Sequence, residues 1–400
     1  MLVPRKGVKI LVGATFGFLL TILVRQSLRG GSWGSTQSRS QLSEDDVQGT
    51  TSTEENVDVS TFRPGIPPPP GHNYSKVLVM AKLRDDDTTW VNESKYSQET
   101  AIYVADDPTA ALHPPINKGN EVMTYLTYII DHYQNLPEIM LFMHAHRSTW
   151  HNNEILNTDA VEMINRLSSE RVVREGYMNL RCHWRPGCPD WIHPGSRETD
   201  EDKLEEVELA NVWHELFPND DLPKILAHPC CSQFALSRER ALAIPRSKYI
   251  FYRDWLIKTD LDDFISGRVW EYIWQFVFAA QTSLCPDQHA CYCDGYGVCF
   301  ENNEAFDYWF ELKWRERGLR LELEDWETRT KFINEVSEAG IDEAAMIDIP
   351  PLGKDTQIKQ EMHKINEQTD TMRDEAIRRG NNPRVRAAIA GRPWSPGDGF

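Results

Sequence analysis

The sequence has no surplus of positive charge. Its 43 Lys and Arg are outnumbered by 61 Asp and Glu, which gives a formal net charge of −18. A nucleic-acid-binding protein needs a concentrated basic surface, so we expect no nucleic-acid partner. Apolar residues make up 40% of the chain, which is enough to build a sizeable core. The 13 Trp are more than usual, and we expect most of them to fill that core rather than to stack on sugar rings.

Cysteine is absent from residues 1–181 and from residues 300–400. An even number within one segment predicts disulfides in an oxidising compartment. A Cys₄ zinc site is the alternative, but the usual two-residue spacing is missing. Neighbouring cysteines rarely bond each other, so we expect Cys230 and Cys231 to pair elsewhere, and Cys182 and Cys188 to close a small loop or to reach that pair. The disulfide candidates are Cys182, Cys188, Cys230, Cys231, Cys285, Cys291, Cys293 and Cys299.

Long apolar runs are also missing, with one exception near the start of the chain. Residues 10–24 carry no charge and predict a transmembrane signal anchor behind a short cytoplasmic tail, residues 1–9. Fifteen helical residues span ~22 Å, which suits the thinner membranes of the endoplasmic reticulum or Golgi. A cleaved signal peptide is the alternative, but Arg25 and Arg29 fit poorly near a cleavage site.

The glycosylation sequons at Asn73 and Asn92 support the same topology. Together with the cysteines they predict that the bulk of the chain is lumenal, as in a single-pass type II membrane protein. We expect a disordered Ser- and Pro-rich stem over residues 25–72 and a globular α/β domain over 73–300. A helical extension over 301–345 and a charged helical or disordered tail over 346–400 follow.

Four short apolar segments predict strands in the globular domain. They are residues 76–81, 100–104, 139–143 and 234–237, and helical patterns cover residues 117–133, 154–168, 201–217 and 262–280. The alternation predicts a mixed, mainly parallel sheet flanked by helices.

Three histidines follow the third predicted strand. His144 and His146 face the same way in an extended chain and can present nitrogen ligands to one Zn²⁺ or Mn²⁺, with His151 returning from the following loop. The carboxyl end of a strand is where α/β folds place their sites. The alternatives are a polar site without metal, or local structural hydrogen bonds.

Further candidates have weaker signals. Asp85 and Asp86 follow the first strand, where a loop that binds a nucleotide or another substrate would lie, although acidic turns are more often only solvated. The segment with Asn117, Lys118 and Glu121 opens a helix whose free amides can receive an anion. Glu271 lies among aromatic residues that raise a carboxyl pKa, as a general base requires, or else it forms an ion pair with Arg268 or Arg253.

Several motifs resemble a known family. NKGNEVMTYLTYIIDHY, LPEIMLFMHAHRSTWH, GYMNLRCHW, PCCSQFALSRE and SGRVWEYIWQFVF occur in the order seen in the family of unknown function numbered 3431, across residues 76–300. That resemblance implies a shared domain without an assigned reaction.

A looser resemblance is to GT-A-type Golgi glycosyltransferases, which also combine a short anchor, a stem and a segment similar to QFALSRE. It implies a GT-A-like, Rossmann-like fold, a nucleotide-sugar donor, a glycan acceptor, and donor contacts from Arg238 and Trp150. His144-Ala145-His146 stands where those enzymes carry an acidic metal motif, which puts Mn²⁺ chemistry in doubt.

The sequence therefore predicts a lumenal glycosyltransferase-like enzyme, with Glu271 and His151 as catalytic candidates. One alternative is a metal-dependent hydrolase that uses His144 and His146. The other is a non-catalytic domain that binds carbohydrate or acts as a scaffold.

Overall fold

The predicted strands form the centre of an α/β domain. The structure, a computed structural model, describes residues 62–96, 99–198, 200–338 and 350–400. The predicted tail and anchor, residues 1–24, and most of the predicted stem lie outside the described residues. Among the described residues, no helix is both long enough and apolar enough to cross a membrane.

Five strands form one mixed sheet in the order β2-β1-β3-β5-β4. They are β1 Lys76–Lys82, β2 Thr100–Val104, β3 Ile139–His144, β4 Tyr177–Asn179 and β5 Phe234–Ser237. β1 pairs in parallel with β2 and with β3, while β5 runs antiparallel to both β3 and β4. The mixed α/β architecture is confirmed, and β4 is a strand that the sequence analysis missed.

Twelve α-helices are present in the described part of the chain. They are α1 Val122–His132, α2 Ala160–Arg166, α3 Ser169–Glu175, α4 Leu209–Leu216, α5 Arg238–Leu242, α6 Arg246–Lys258, α7 Asp263–Glu271, α8 Trp274–Ala279, α9 Gln288–Tyr296, α10 Asn303–Glu338, α11 Lys354–Gly380 and α12 Pro383–Ile389. The single helix expected over 262–280 is two helices, because the chain leaves helical geometry at Tyr272, where φ is −105° and ψ is 10°.

Both faces of the sheet are covered by helices. Alternate side chains of a strand point to opposite faces, so Val79 and Phe142 join one core with α1, α4 and α6 to α8. Met80 and Leu141 join a second core with α2, α3, α9 and parts of α10 and α11. A sheet buried on both faces explains why its strands appear in the sequence as continuous apolar runs.

The end of the predicted stem contacts this domain. The main-chain N–H of Gly65 donates to the Arg174 carbonyl at 2.9 Å, and the Arg240 guanidinium lies 4.2 Å from the centre of the Phe62 ring. The Arg174 guanidinium also binds Asp294 with N···O distances of 2.6 and 2.7 Å, and both side chains are buried.

All eight cysteines form disulfides, so the prediction of disulfides over a zinc site is confirmed. The expected pairing was wrong. The bonds are Cys182–Cys291, Cys188–Cys285, Cys230–Cys231 and Cys293–Cys299. The neighbouring cysteines bond each other, and Cys231 adopts a φ of +87°, a conformation that a sequence pattern does not reveal.

Candidate functional site at the carboxyl edge of the sheet

One edge of the sheet collects most of the predicted site residues. β1 ends at Lys82 and β3 ends at His144 on this edge. Ala81 of β1 is paired with His144 of β3. The antiparallel β5 begins at the same edge, with Phe234 opposite Phe142. The chain connects β1 to β2 on one side and crosses to β3 on the other, so the strand order reverses here. Open α/β sheets bind ligands in the crevice outside such a reversal.

Asp86 and His146 face each other across this reversal. Asp86 Oδ1 lies 3.7 Å from His146 Nε2, although one residue follows β1 and the other follows β3. The second oxygen of Asp86 accepts the main-chain N–H of Leu83 at 2.7 Å, which holds the acidic turn. His146 stays 65% exposed, so its ring is open to a ligand. Asp85 is also exposed but points to no partner in the described residues.

His144 and Glu271 both bind the main chain of one residue, Cys231. The His144 ring donates from Nε2 to the Cys231 carbonyl at 2.7 Å. The Cys231 N–H donates to Glu271 Oε1, also at 2.7 Å. A carbonyl only accepts, so this bond assigns the proton to Nε2 and leaves Nδ1 as an acceptor in the neutral ring. Residues 144 and 271 are thereby fixed relative to each other.

Cys231, the residue that joins His144 and Glu271, and its neighbour Ser232 have unusual backbone conformations. Cys231 has a φ of +87° and Ser232 a φ of +47°, and residues other than glycine rarely adopt such values. The energetic cost of such backbone conformations is tolerated where the surrounding structure holds them in place, and this occurs often at functional sites. The Cys230–Cys231 disulfide and the two hydrogen bonds of Cys231 hold it here.

Glu271 is suited to exchange a proton at neutral pH. Burial raises the pKa of its carboxyl to about 7, the hydrogen bond from Cys231 opposes that shift, and the Glu121 carboxylate adds to it. The alternative, an ion pair with Arg268 or Arg253, does not form in the described part of the chain, where Arg268 instead binds Glu205 with an N···O distance of 2.7 Å. A carboxyl group with a pKa near the working pH is an efficient general base or acid.

His151 lies beside His144, with the two ring centres 4.7 Å apart. Its Nε2 is buried and has no hydrogen-bond partner among the described residues. Burial first, and then the neighbouring His144, lower the pKa of His151 to about 3, so the ring is neutral at pH 7. A neutral imidazole with a free nitrogen is available to a ligand or to an ordered water.

Trp150 stands at the outer side of this group. Its ring lies 5.4 Å from that of His151, and it is 68% exposed. The Arg181 guanidinium packs 5.2 Å from the Trp150 ring centre and donates to the carbonyls of Trp150 and Arg185 at 3.3 and 2.7 Å. Burial lowers the pKa of Arg181 to about 10, which still leaves it charged at neutral pH.

We call this group the carboxyl-edge cluster. Its members are Asp86, His144, His146, His151, Arg181, Cys231 and Glu271. The sequence analysis missed Arg181 and the role of Cys231. Arg181 follows β4, a strand too short to leave a pattern, and Gln233, which accepts the His144 N–H at 3.2 Å, precedes β5. Only the topology brings these residues to the histidines.

The start of α1 borders the cluster through Glu121, whose charge reaches Glu271. Lys118 instead donates to the carbonyl of Thr259, and Asn117 is exposed. The N-terminus of α1 is covered by α7, since the Asn120 N–H donates to Asp263 at 3.1 Å. The bonded amide precedes the helix, which begins at Val122, so an anion site at the helix amides themselves stays a prediction.

Arg238 lies at the opposite edge of the sheet. Its Nε donates to the Leu136 carbonyl at 2.5 Å and its main-chain N–H to the Glu138 carbonyl at 3.0 Å, both just before β3. The length of β3, about 17 Å from Ile139 to His144, separates it from the histidines. A groove of about 720 Å³ between α4 and α6 is also separate, and none of the carboxyl-edge cluster lines it.

Ligand atoms for a metal are divided between two places. Asp86 and His146 offer a carboxylate and an imidazole at 3.7 Å. Among the described residues, Cys230, Cys231 and Glu271 bring three atoms within 4.8 Å, but the two sulfurs are joined in a disulfide and are not thiolates. His144 and His146 do not converge with a third ligand in the described part of the chain.

The motifs that build this edge agree with a family comparison. A model described as protein of unknown function (DUF3431) matches residues 78–294, which is more than half of the chain and includes the whole carboxyl-edge cluster. The chain belongs to this family. No match was found among the curated proteins or among the solved structures. Membership therefore assigns the domain, and the chemistry has to be argued from the cluster.

Proposed function

We propose that this member of the family is a glycosyltransferase-like enzyme with a GT-A-like domain, and that the carboxyl-edge cluster binds a nucleotide-sugar donor. The observation that carries the proposal is the Asp86–His146 pair at the reversal between β1 and β3. Such crevices bind nucleotides in other α/β sheets. A nucleotide sugar also needs both hydroxyl-binding and phosphate-binding groups, which a carboxylate and an imidazole beside a buried arginine supply.

The charges of the cluster suit the departure of a nucleoside diphosphate. His146 is open to a ligand, and Arg181 is charged, buried and held by two main-chain carbonyls, so the arginine does not have to reorganise when negative charge develops. Asp86 and His146 can also hold a divalent cation, because such ions often take one or two protein ligands and complete their coordination with phosphate oxygens. A bound cation of this kind would neutralise the leaving diphosphate.

Glu271 is the proposed general base. It would take the proton from the attacking hydroxyl of a glycan acceptor as that oxygen bonds to the anomeric carbon, while the nucleoside diphosphate leaves. The Cys231 N–H orients one carboxylate oxygen at 2.7 Å, and burial sets the pKa of Glu271 at about 7. The other carboxylate oxygen remains for the acceptor.

We also propose that the enzyme is a single-pass type II membrane protein of the Golgi or endoplasmic reticulum. The four disulfides support an oxidising compartment. Both sequon side chains, Asn73 and Asn92, are exposed, as glycosylation requires. The proposed anchor, residues 10–24, provides the membrane contact.

A metal-dependent hydrolase receives less support. Its metal would need three protein ligands, and His144 Nε2 is already bound to the Cys231 carbonyl. His146 faces Asp86 rather than His144. The geometry therefore favours a site built around phosphate and a base over one built around a histidine-held zinc ion.

A thermal-shift panel tests the donor site. The full chain in detergent would be heated with uridine, guanosine and cytidine diphosphate sugars, with and without Mn²⁺. We expect stabilisation by one donor class, and its loss in Asp86→Asn and His146→Ala. Arg238→Gln, at the opposite edge of the sheet, is the control. A folded wild-type chain that no donor stabilises would contradict the proposal.

A further inference from the structure

Two tryptophans depart from the general pattern of this protein. Large side chains such as Trp213, Trp270 and Trp274 are fully buried, as the sequence analysis expected. Trp150 and Trp314 are instead 68% and 66% exposed. In the described part of the chain no other tryptophan is exposed to this extent.

Each of these two rings rests on an arginine. The Arg181 guanidinium lies 5.2 Å from the ring centre of Trp150, and the Arg317 guanidinium lies 4.9 Å from that of Trp314. Cation–π contacts of this kind hold a ring in place by one face. With exposures of 68% and 66%, both residues present an apolar indole to solvent that an arginine holds in place.

The two rings belong to one stretch of the protein surface. Trp150 and Glu154 are four residues apart, which limits their Cα separation to about 14 Å. Glu154 Oε1 binds Arg317 Nη2 at 3.1 Å, and Arg317 is the residue that packs on Trp314. The loop after β3 is thus tied to α10, and both rings border it.

This surface leads into the carboxyl-edge cluster. The Trp150 ring is 5.4 Å from that of His151, and the His151 ring is 4.7 Å from that of His144. His144 is in turn connected to Glu271 through Cys231, whose main chain forms a hydrogen bond with each of them. A continuous series of contacts therefore runs from the exposed indole of Trp150 to the buried carboxyl.

We propose that Trp150 and Trp314 form a glycan-binding surface that delivers an oligosaccharide acceptor to the carboxyl-edge cluster. One face of a pyranose ring carries only C–H groups and packs on a flat indole, while its edge carries hydroxyls. Glu154 and Arg317, with side chains 26% and 50% exposed, supply polar partners for those hydroxyls between the two rings. The acceptor role rests on the proposed transferase function, whereas glycan binding itself does not.

The chemistry of the surface favours a glycan over a protein partner. The apolar patches that mark protein interfaces are contiguous and larger than about a few hundred Å². Here the Glu154–Arg317 ion pair lies between the two indoles and interrupts the apolar surface. Alternation of flat apolar faces with hydrogen-bonding groups matches a chain of sugar rings.

Binding of defined hexasaccharides tests the surface. The full chain in detergent would be titrated with mannohexaose, laminarihexaose and chitohexaose, followed by tryptophan fluorescence and saturation-transfer NMR. We expect at least one to bind. Trp150→Ala should weaken that binding about three- to tenfold, as one aromatic contact does, and Trp150→Phe should recover most of it. Trp314→Ala should weaken binding of the hexasaccharide but not of the matching disaccharide.

Phe251→Ala is the matched control. Phe251 is 40% exposed and also packs on a cation, Lys248 at 5.0 Å, but it lies in the groove between α4 and α6. Its replacement should leave glycan binding unchanged. Near-ultraviolet circular dichroism of every variant would establish that it is folded.

The outcomes separate this inference from the proposed function. Absence of binding by any of the three hexasaccharides, or binding that survives both Trp150→Ala and Trp314→Ala, overturns the glycan surface even if a nucleotide sugar stabilises the chain. Glycan binding that depends on Trp150 while no donor binds supports the surface and overturns the transferase.

Discussion

The main-chain N–H of Cys231 donates a 2.7 Å hydrogen bond to the Glu271 carboxylate. The carbonyl of the same residue accepts from His144, so the main chain of one residue fixes two titratable side chains from different elements. The φ of +87° at Cys231 points the N–H and the carbonyl to these partners. The vicinal disulfide is thus part of the site, because it includes the residue whose main chain binds the two side chains that can exchange protons, His144 and Glu271.

Removal of the Glu271 charge should change how stability depends on pH. The folded-state pKa of about 7 lies above the ordinary value of 4.5, so the folded protein binds more protons than the unfolded chain between these pH values. Stability from this group is therefore present below pH 4.5 and is lost as the pH rises through 7. Glu271→Gln should stabilise the chain by about 1–3 kcal/mol at pH 8, and by less at pH 5. Urea unfolding at both pH values measures this, and an equal effect at both would contradict the raised pKa.

Glycine at position 231 should be more stable than alanine once the disulfide is removed. Cys230→Ala/Cys231→Ala removes the disulfide and leaves an alanine at a φ of +87°. Cys230→Ala/Cys231→Gly removes the same bond but restores a residue that adopts this φ freely. We expect the glycine variant to be more stable by about 1 kcal/mol. Chemical unfolding of the two variants side by side gives the difference, and equal stability would show that the backbone relaxes once the bond is gone.

The disulfides should differ in their contribution to stability. Cys182–Cys291 closes a separation of 109 residues, and Cys293–Cys299 one of 6. On the loop-entropy account, the first stabilises by about 5 kcal/mol and the second by about 2 kcal/mol. Cys182→Ala/Cys291→Ala should therefore lower the unfolding midpoint more than Cys293→Ala/Cys299→Ala. The opposite order, measured in guanidinium chloride, would refute the entropic ranking.

Glycosylation tests the proposed lumenal topology. Chain expressed in a eukaryotic host should lose about two glycans' worth of mass on treatment with an N-glycosidase, because Asn73 and Asn92 are both exposed. Asn73→Gln and Asn92→Gln should each remove one of the two mass steps. A chain without any glycan at either site would contradict a lumenal domain.

Much of the local structure was predictable from the sequence. β1, β2, β3 and β5 appear as apolar runs because the sheet is covered on both faces, and α1 shows helical spacing. β4 escaped because a three-residue strand has no period to detect. The break between α7 and α8 also escaped, since the aromatic residues continue through it.

The candidate site was only half predictable. The sequence identified four residues capable of chemistry, namely His144, His146, His151 and Glu271. Asp86 was singled out as well, but its contact with His146 was not. The roles of Arg181 and Cys231 were also missed, because they depend on strand order and on a backbone conformation. Arg238 was expected to contact the donor beside these residues. It lies instead at the far edge of the sheet, because β5 runs antiparallel to β3.

By itself the sequence determined the element types, the presence of disulfides and the residues capable of chemistry, since these depend on composition and on spacing along the chain. The tertiary structure alone decided the order and direction of the strands, the choice among the 105 pairings that eight cysteines allow, and the meeting of Glu271 with His144. These depend on long-range contacts, which buried area and backbone hydrogen bonding select together and which no local pattern records.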